Sequence, residues 1–96
     1  MPTITEEQQS TGIQDTPQIG SPWIVILYND DYHGMDEVIL QVQKATGCSL
    51  EEALVITFTA HEEGRAVAFE GTEEECERVA GVLRQIKLQV ETDRAF

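Results

Sequence analysis

The chain has 96 residues, 41% of them apolar and 25% charged, so a single small domain with a modest core is expected. Its 18 acidic against 6 basic side chains give a formal charge of −12, which argues against nucleic acid and anionic membrane as partners and favours basic or amine-bearing ones. No apolar run approaches the ~20 residues of a membrane span.

The opening "MPTITEEQQS" has neither a basic n-region nor an apolar h-region, and a cytoplasmic location is expected. Residues 1–20 combine Thr, Glu, Gln, Ser, Pro and Gly with two isolated Ile residues. Such a segment buries too little surface to offset its ordering entropy, so it reads as a disordered extension ahead of a domain over 21–96. No internal repeat is visible.

The first predicted strand is "WIVILY", residues 23–28. It places Trp23, Val25 and Leu27 on one face and Ile24, Ile26 and Tyr28 on the other, the two-sided pattern of a central strand. After it comes "NDDYHGMDE", rich in acceptors. Met35, Val38, Ile39 and Val42 then recur at helical spacing, and Gly47 offers a stop. "SLEE" is a capping-box pattern, Ser49 with Glu52, opening a second helix with the stripe Leu50, Ala53, Leu54 and Phe58, ended by Gly64. "RAVAFE", residues 65–70, reads as a second strand. Thr72 and Glu75 form another capping box, and Cys76, Val79, Ala80, Leu83 and Ile86 make the third helix's apolar stripe. "KLQVET", residues 87–92, alternates as a last, half-exposed strand. The order β-α-α-β-α-β predicts an α+β sandwich, a three-stranded antiparallel sheet packed against three helices. Cys48 and Cys76, the only cysteines, lack C-x-x-C spacing and read as free structural thiols in a reducing compartment.

The acidic segment admits four readings. In the first, Asp31 or His33 caps the helix while Asp36 and Glu37 sit in its first turn, where the helix dipole favours anions; Asn29 and Asp30 lie too early for that. In the second, Asp30, Asp31, His33 and His61 ligate a metal, but no EF-hand offsets or ligand spacing single one out. In the third, Cys48 or Thr57 with His61 and an Asp form a catalytic set; Cys48, however, lies roughly 15 Å of helix away from His61. The fourth fits more residues. A helical hairpin returns His61 towards Asn29–Met35, where Asn29, Asp31 and His61 offer three kinds of acceptor to an ammonium with three donors. Met35, Val38, Thr57 and Ala60 flank the same seam.

"NDDYHGMDEV", then "TAH", then "GRAVAFEGT" resemble the ClpS family, adaptors of the bacterial Clp ATP-dependent protease, over about residues 22–92. The resemblance implies a non-enzymatic adaptor without a cofactor, which binds N-degrons, substrates with a bulky hydrophobic first residue, and delivers them to a Clp AAA+ unfoldase, ClpA or ClpC. It implies that Asn29, Asp31 and His61 hold the substrate's α-amino group with Asp30 supporting the loop. It also implies that Met35 gates a side-chain pocket lined by Leu27 and Val38, and that the N-terminal tail engages the unfoldase. A monomer is expected. Departures from the family pattern are Thr57 for Met and Ala60 for Val, both widening the pocket, and His33-Gly34 for Thr-Pro at the helix entry. The last connection is also short, with Leu88 expected to complete the pocket wall. Unfoldase docking is expected around Glu74, Glu75 and Arg78. The alternatives are a ClpS-like docking regulator with altered or lost N-degron recognition, and a small metal-binding protein.

Overall fold

The structure, a computed structural model, describes residues 22–95; the expected disordered extension lies outside the described residues. The elements are β1 Trp23–Tyr28, α1 Met35–Thr46, α2 Leu50–Glu63, β2 Arg65–Gly71, α3 Glu73–Arg84 and β3 Val90–Arg94. The sheet order is β2-β1-β3 and both pairings are antiparallel, so the two-sided apolar strand is central, as its composition predicts. Val25 and Leu27 are buried on one face, and Ala66 and Ala68 of β2 join them, while Val67 between these two is exposed. That alternation marks a sheet covered by helices on one side. A bulge between Val25 and Ile26 shifts the β1–β2 register, after which Leu27 pairs with Ala66 and Tyr28 with Arg65.

The core is built from Val25 and Leu27 with Val38, Ile39, Val42, Val79, Ala80, Leu83, Leu88 and Val90, among others. Gln41 is also buried, and its Nε2 donates to the Val82 carbonyl at 2.7 Å, tying α1 to α3. Both capping boxes form: Ser49 with Glu52 on α2, Thr72 with Glu75 on α3. Gly47 and Gly64 end α1 and α2 in the left-handed region, at φ 75° and 93°, where a Cβ would be strained. Cys48 is half-buried and Cys76 buried, both as free thiols; burial pushes the Cys76 thiol up from its ordinary value.

Three local expectations are corrected. First, α2 buries Ala53, Thr57 and Ala60, leaving Leu50 and Phe58 about half exposed and Leu54 partly buried. Between Ala53 and Ala60 the apolar residues Ala53, Leu54, Val55, Ile56, Phe58 and Ala60 fall on every side of the helix, so hydropathy alone does not choose a face. The helix packs its small residues inward against a β2 whose own inward residues are alanines. Second, the last strand begins at Val90, not Lys87. Lys87 has φ 67° in a tight turn where its N–H donates to the Arg84 carbonyl at 2.9 Å, and no glycine in the sequence announced that turn. Third, neither Asp31 nor His33 caps α1. Gly34 holds the N-cap position, and among the described residues no side chain caps it.

Candidate functional site: a cavity at the end of the central strand

β1 leaves the sheet at Tyr28, and the chain must bend to enter α1. Asp30 makes the bend. Its Oδ1 accepts from the backbone N–H of Tyr32 at 2.6 Å and of His33 at 2.8 Å, an Asx-type turn, and its Oδ2 accepts from His33 Nδ1 at 2.7 Å. The Asp30 side chain is only 11% exposed. Burial pushes its carboxyl up, but the bonds from the His33 and Tyr32 backbone and the His33 ring outweigh that, and the net shift is below the ordinary value. The hydrogen bond to Asp30 holds the His33 imidazole above its ordinary range.

The bend is then stitched to the junction between α2 and β2. The Asn29 N–H donates to the Gly64 carbonyl at 2.9 Å, just beyond the end of α2. This bond continues the β1–β2 ladder past Tyr28 and Arg65, and it brings α2's last turn, with His61, beside the bend. Asn29 donates through Nδ2 to Asp31 Oδ1 at 3.2 Å, which leaves its side-chain oxygen as an acceptor. Asn29, Asp31 and His61 are all exposed.

Between these segments lies a cavity of about 280 Å³, lined by Leu27, Tyr28, Asn29, Asp30, Asp31, His33, Met35, Val38, Thr57, Ala60 and His61. It is polar along the 29–33 bend and at His61, and largely apolar where Leu27, Met35, Val38 and Ala60 meet. Every residue named for the amino-group and side-chain sites therefore borders one space, except Leu88. That side chain is buried in the core and does not line the cavity, because the short connection turns inward at Lys87. Two lining residues were given no place in the pocket by the sequence. The first is Tyr28, whose hydroxyl donates to Glu91 Oε1 at 2.6 Å; this bond keeps its pKa above the ordinary value. Strand alternation places Tyr28 opposite Leu27, but at the strand's end the cavity reaches both. The second is His33, whose spacing from Asp30 was the available signal.

The other candidate sets do not assemble. Among the described residues, no three His, Cys, Asp or Glu side chains are grouped to hold a metal ion. Cys48 precedes α2 while His61 stands in its last turn, so the Cys48–His61 pairing has no geometry; Thr57 borders the cavity with His61, but its hydroxyl is hydrogen-bonded to no base among the described residues. Glu74, Glu75 and Arg78 lie on α3, away from the cavity. Glu75 is engaged by the capping box, and Arg78 Nη1 reaches the Ala45 carbonyl at 3.4 Å. No helix among the described residues is long and apolar enough to cross a membrane.

Comparison with known proteins agrees with this architecture. The family model for the ATP-dependent Clp protease adaptor protein ClpS matches residues 18–92. The ATP-dependent Clp protease adapter protein ClpS of Streptomyces avermitilis is 32% identical over 75 residues, covering 78% of this chain and 71% of that protein. Its counterpart in Streptomyces coelicolor is 31% identical over 75 residues, covering 78% of each. A stretch of the E3 ubiquitin-protein ligase UBR1 of Drosophila melanogaster is 37% identical over 60 residues, 62% of this chain but 3% of that protein. The structure of Agrobacterium tumefaciens ClpS2 bound to L-phenylalaninamide shares the fold, with a TM-score of 0.72 at 22% identity over 77% of this chain and 96% of that one. A family model matching residues 18–92, together with relatives above 30% identity matched over more than two thirds of their length, settles the assignment: this chain belongs to the ClpS family of ATP-dependent Clp protease adaptor proteins.

Proposed function

We propose that this chain captures N-degron substrates at the cavity beside β1 and delivers them to a Clp AAA+ unfoldase. The observation that carries the reading is the cavity's division of labour, acceptors along the 29–31 bend and at His61, apolar walls from Leu27, Met35, Val38 and Ala60. A free peptide N-terminus is an ammonium with three donors joined to a side chain, and the cavity has a complement for each part. Asn29, through its side-chain oxygen, Asp31 and His61 accept from the ammonium. Asp30 makes no contact with the guest in this scheme; it fixes the bend that presents Asn29 and Asp31. Met35 closes over the side-chain slot, with the adaptable packing of a thioether. The ligand in the related Agrobacterium ClpS2 structure, L-phenylalaninamide, is a free amine on a bulky aromatic residue, the chemistry this cavity matches.

Binding here needs no bond-making step, so the protein acts as an adaptor rather than an enzyme. Its partner is an unfoldase of the ClpA or ClpC kind, met in the cytoplasm by a monomer. Glu74, on the exposed side of α3, is the docking candidate freest of structural duties, since Glu75 and Arg78 also hold the fold. The substitution pattern at Thr57 and Ala60 favours one further reading, in which the guest preference is altered rather than general. A fluorescence anisotropy titration with short peptides beginning with Phe, Leu, Trp or Tyr tests the main reading. Free-amine peptides are expected to bind and their N-acetylated forms to fail; equal binding of the two forms overturns it.

A further inference from the structure

Thr57 borders the cavity and is only 4% exposed, and its buried Oγ1 has no hydrogen-bond partner among the described residues. Helical threonines have an easy remedy, bonding back to the carbonyl one turn earlier. Thr46 in α1 does so, donating to the Val42 carbonyl at 2.8 Å. Thr57 does not take the equivalent bond. A buried hydroxyl without a partner is costly, and its natural complement is a polar group on whatever fills the cavity.

The position fits such a guest. Thr57 stands one helical turn before His61, about 6 Å along the axis, while the rim formed by Asn29, Asp31 and His61 faces the ammonium. That depth corresponds to the outer part of an aromatic ring whose α-amino group sits at the rim. Ala60, on the same face, has only a methyl group and leaves the approach open. Phenylalanine in this slot would seal the Thr57 hydroxyl against hydrocarbon. The phenol of tyrosine both donates and accepts, and pairs with it.

We propose that Thr57 is a specificity-determining residue that makes this pocket prefer a first residue whose large side chain carries a hydrogen-bonding group, tyrosine above phenylalanine. The inference rests on the reading of the cavity as a receptor for a free N-terminus. It follows the general rule that a site built to hydrogen-bond a hydroxyl discriminates against the analogue that lacks one.

The test is anisotropy titration of the full chain with two peptides differing only in Tyr or Phe at the first position, each free and N-acetylated. Wild type, Thr57→Val and Thr57→Ser are compared. Tyr is expected to bind about five- to tenfold tighter than Phe to the wild type. Thr57→Val keeps the branched shape without the hydroxyl and should bring the ratio to about one, largely by strengthening Phe. Thr57→Ser keeps the hydroxyl and should retain a ratio above one. Equal Tyr and Phe affinity in the wild type, or an unchanged ratio in Thr57→Val, overturns the proposal. If free peptides bind alike while acetylated ones do not, only the Tyr preference falls. If acetylated peptides bind as well as free ones, or none binds, the N-terminus reading falls and the preference with it.

Discussion

At the start of α2 and of α3 a hydroxyl and a carboxylate satisfy each other's backbone, whereas α1 opens on Gly34 with no capping side chain and an excess of acceptors just upstream. Ser49 Oγ accepts from the Glu52 N–H at 3.1 Å while Glu52 Oε1 accepts from the Ser49 N–H at 3.0 Å, and Thr72 and Glu75 repeat the arrangement. Those circuits are closed and local. In the β1–α1 bend only Asp30 is closed in this way, on Tyr32 and His33. Asn29 and Asp31 remain exposed on the cavity's rim, and His61 faces them from another element. The lesson is that a carboxylate closed on nearby backbone N–H groups supports the fold. Acceptors left open together at a cavity are where binding belongs.

The sharpest way to break this division is to remove the one closed member of the bend. Asp30→Ala strands two backbone donors and a histidine, and is expected to weaken peptide binding by about 3 kcal/mol although Asp30 touches no guest. Near-normal affinity would show that the bend holds its shape without it. Next come the open acceptors: Asp31→Ala or His61→Ala should each cost roughly 1.5–3 kcal/mol of binding, the scale of a hydrogen bond to a charged group, with little change in stability. Unchanged affinity in both would remove the ammonium from the scheme. The capping boxes should behave inversely. Ser49→Ala or Thr72→Ala is expected to lower stability by about 1 kcal/mol in urea titration and leave peptide affinity as it was. A loss of affinity comparable to that of Asp31→Ala would erase the distinction.

The smallest effect concerns pH. The His33 pKa is raised in the fold, so its contribution is complete below the ordinary 6.5 and is lost as pH rises through the raised value. The Asp30 pKa is lowered, so its contribution is present above the ordinary 3.8 and is lost as pH falls through the lowered value. The bend is therefore firmest between those limits. An NMR titration should place the His33 midpoint above 6.5, and Asp30→Asn should bring it back towards that value. A midpoint that does not move would discount the pair.

Local rules made much of this fold legible. The two-sided strand Trp23–Tyr28, the "SLEE" and "TEEE" caps and the α3 stripe from Cys76 to Leu83 each depend on residues close in sequence. Features that depend on distant neighbours were harder to read. The buried face of α2 is chosen by alanines in β2, and Lys87 adopts a left-handed turn that favours no particular lysine. Leu88 was expected to complete the pocket wall that the short last connection leaves open, yet the turn commits it to the core. As for the cavity, residue types suggested which acceptors belonged together. Their shared border comes from the antiparallel ladder, whose register nothing within either segment specifies.

That last rung, the Asn29 amide on the Gly64 carbonyl, has a consequence for how the molecule responds when occupied. Ends of ladders fray, and here fraying would part the strand exit from the helix carrying His61. A guest gripping both sides clasps the zipper at its open end, so occupancy should protect the Asn29 amide from solvent exchange and tighten the sheet in proportion to guest concentration. A loaded molecule would thus be a stiffer one, distinguishable from an empty one by its edge as well as by its pocket.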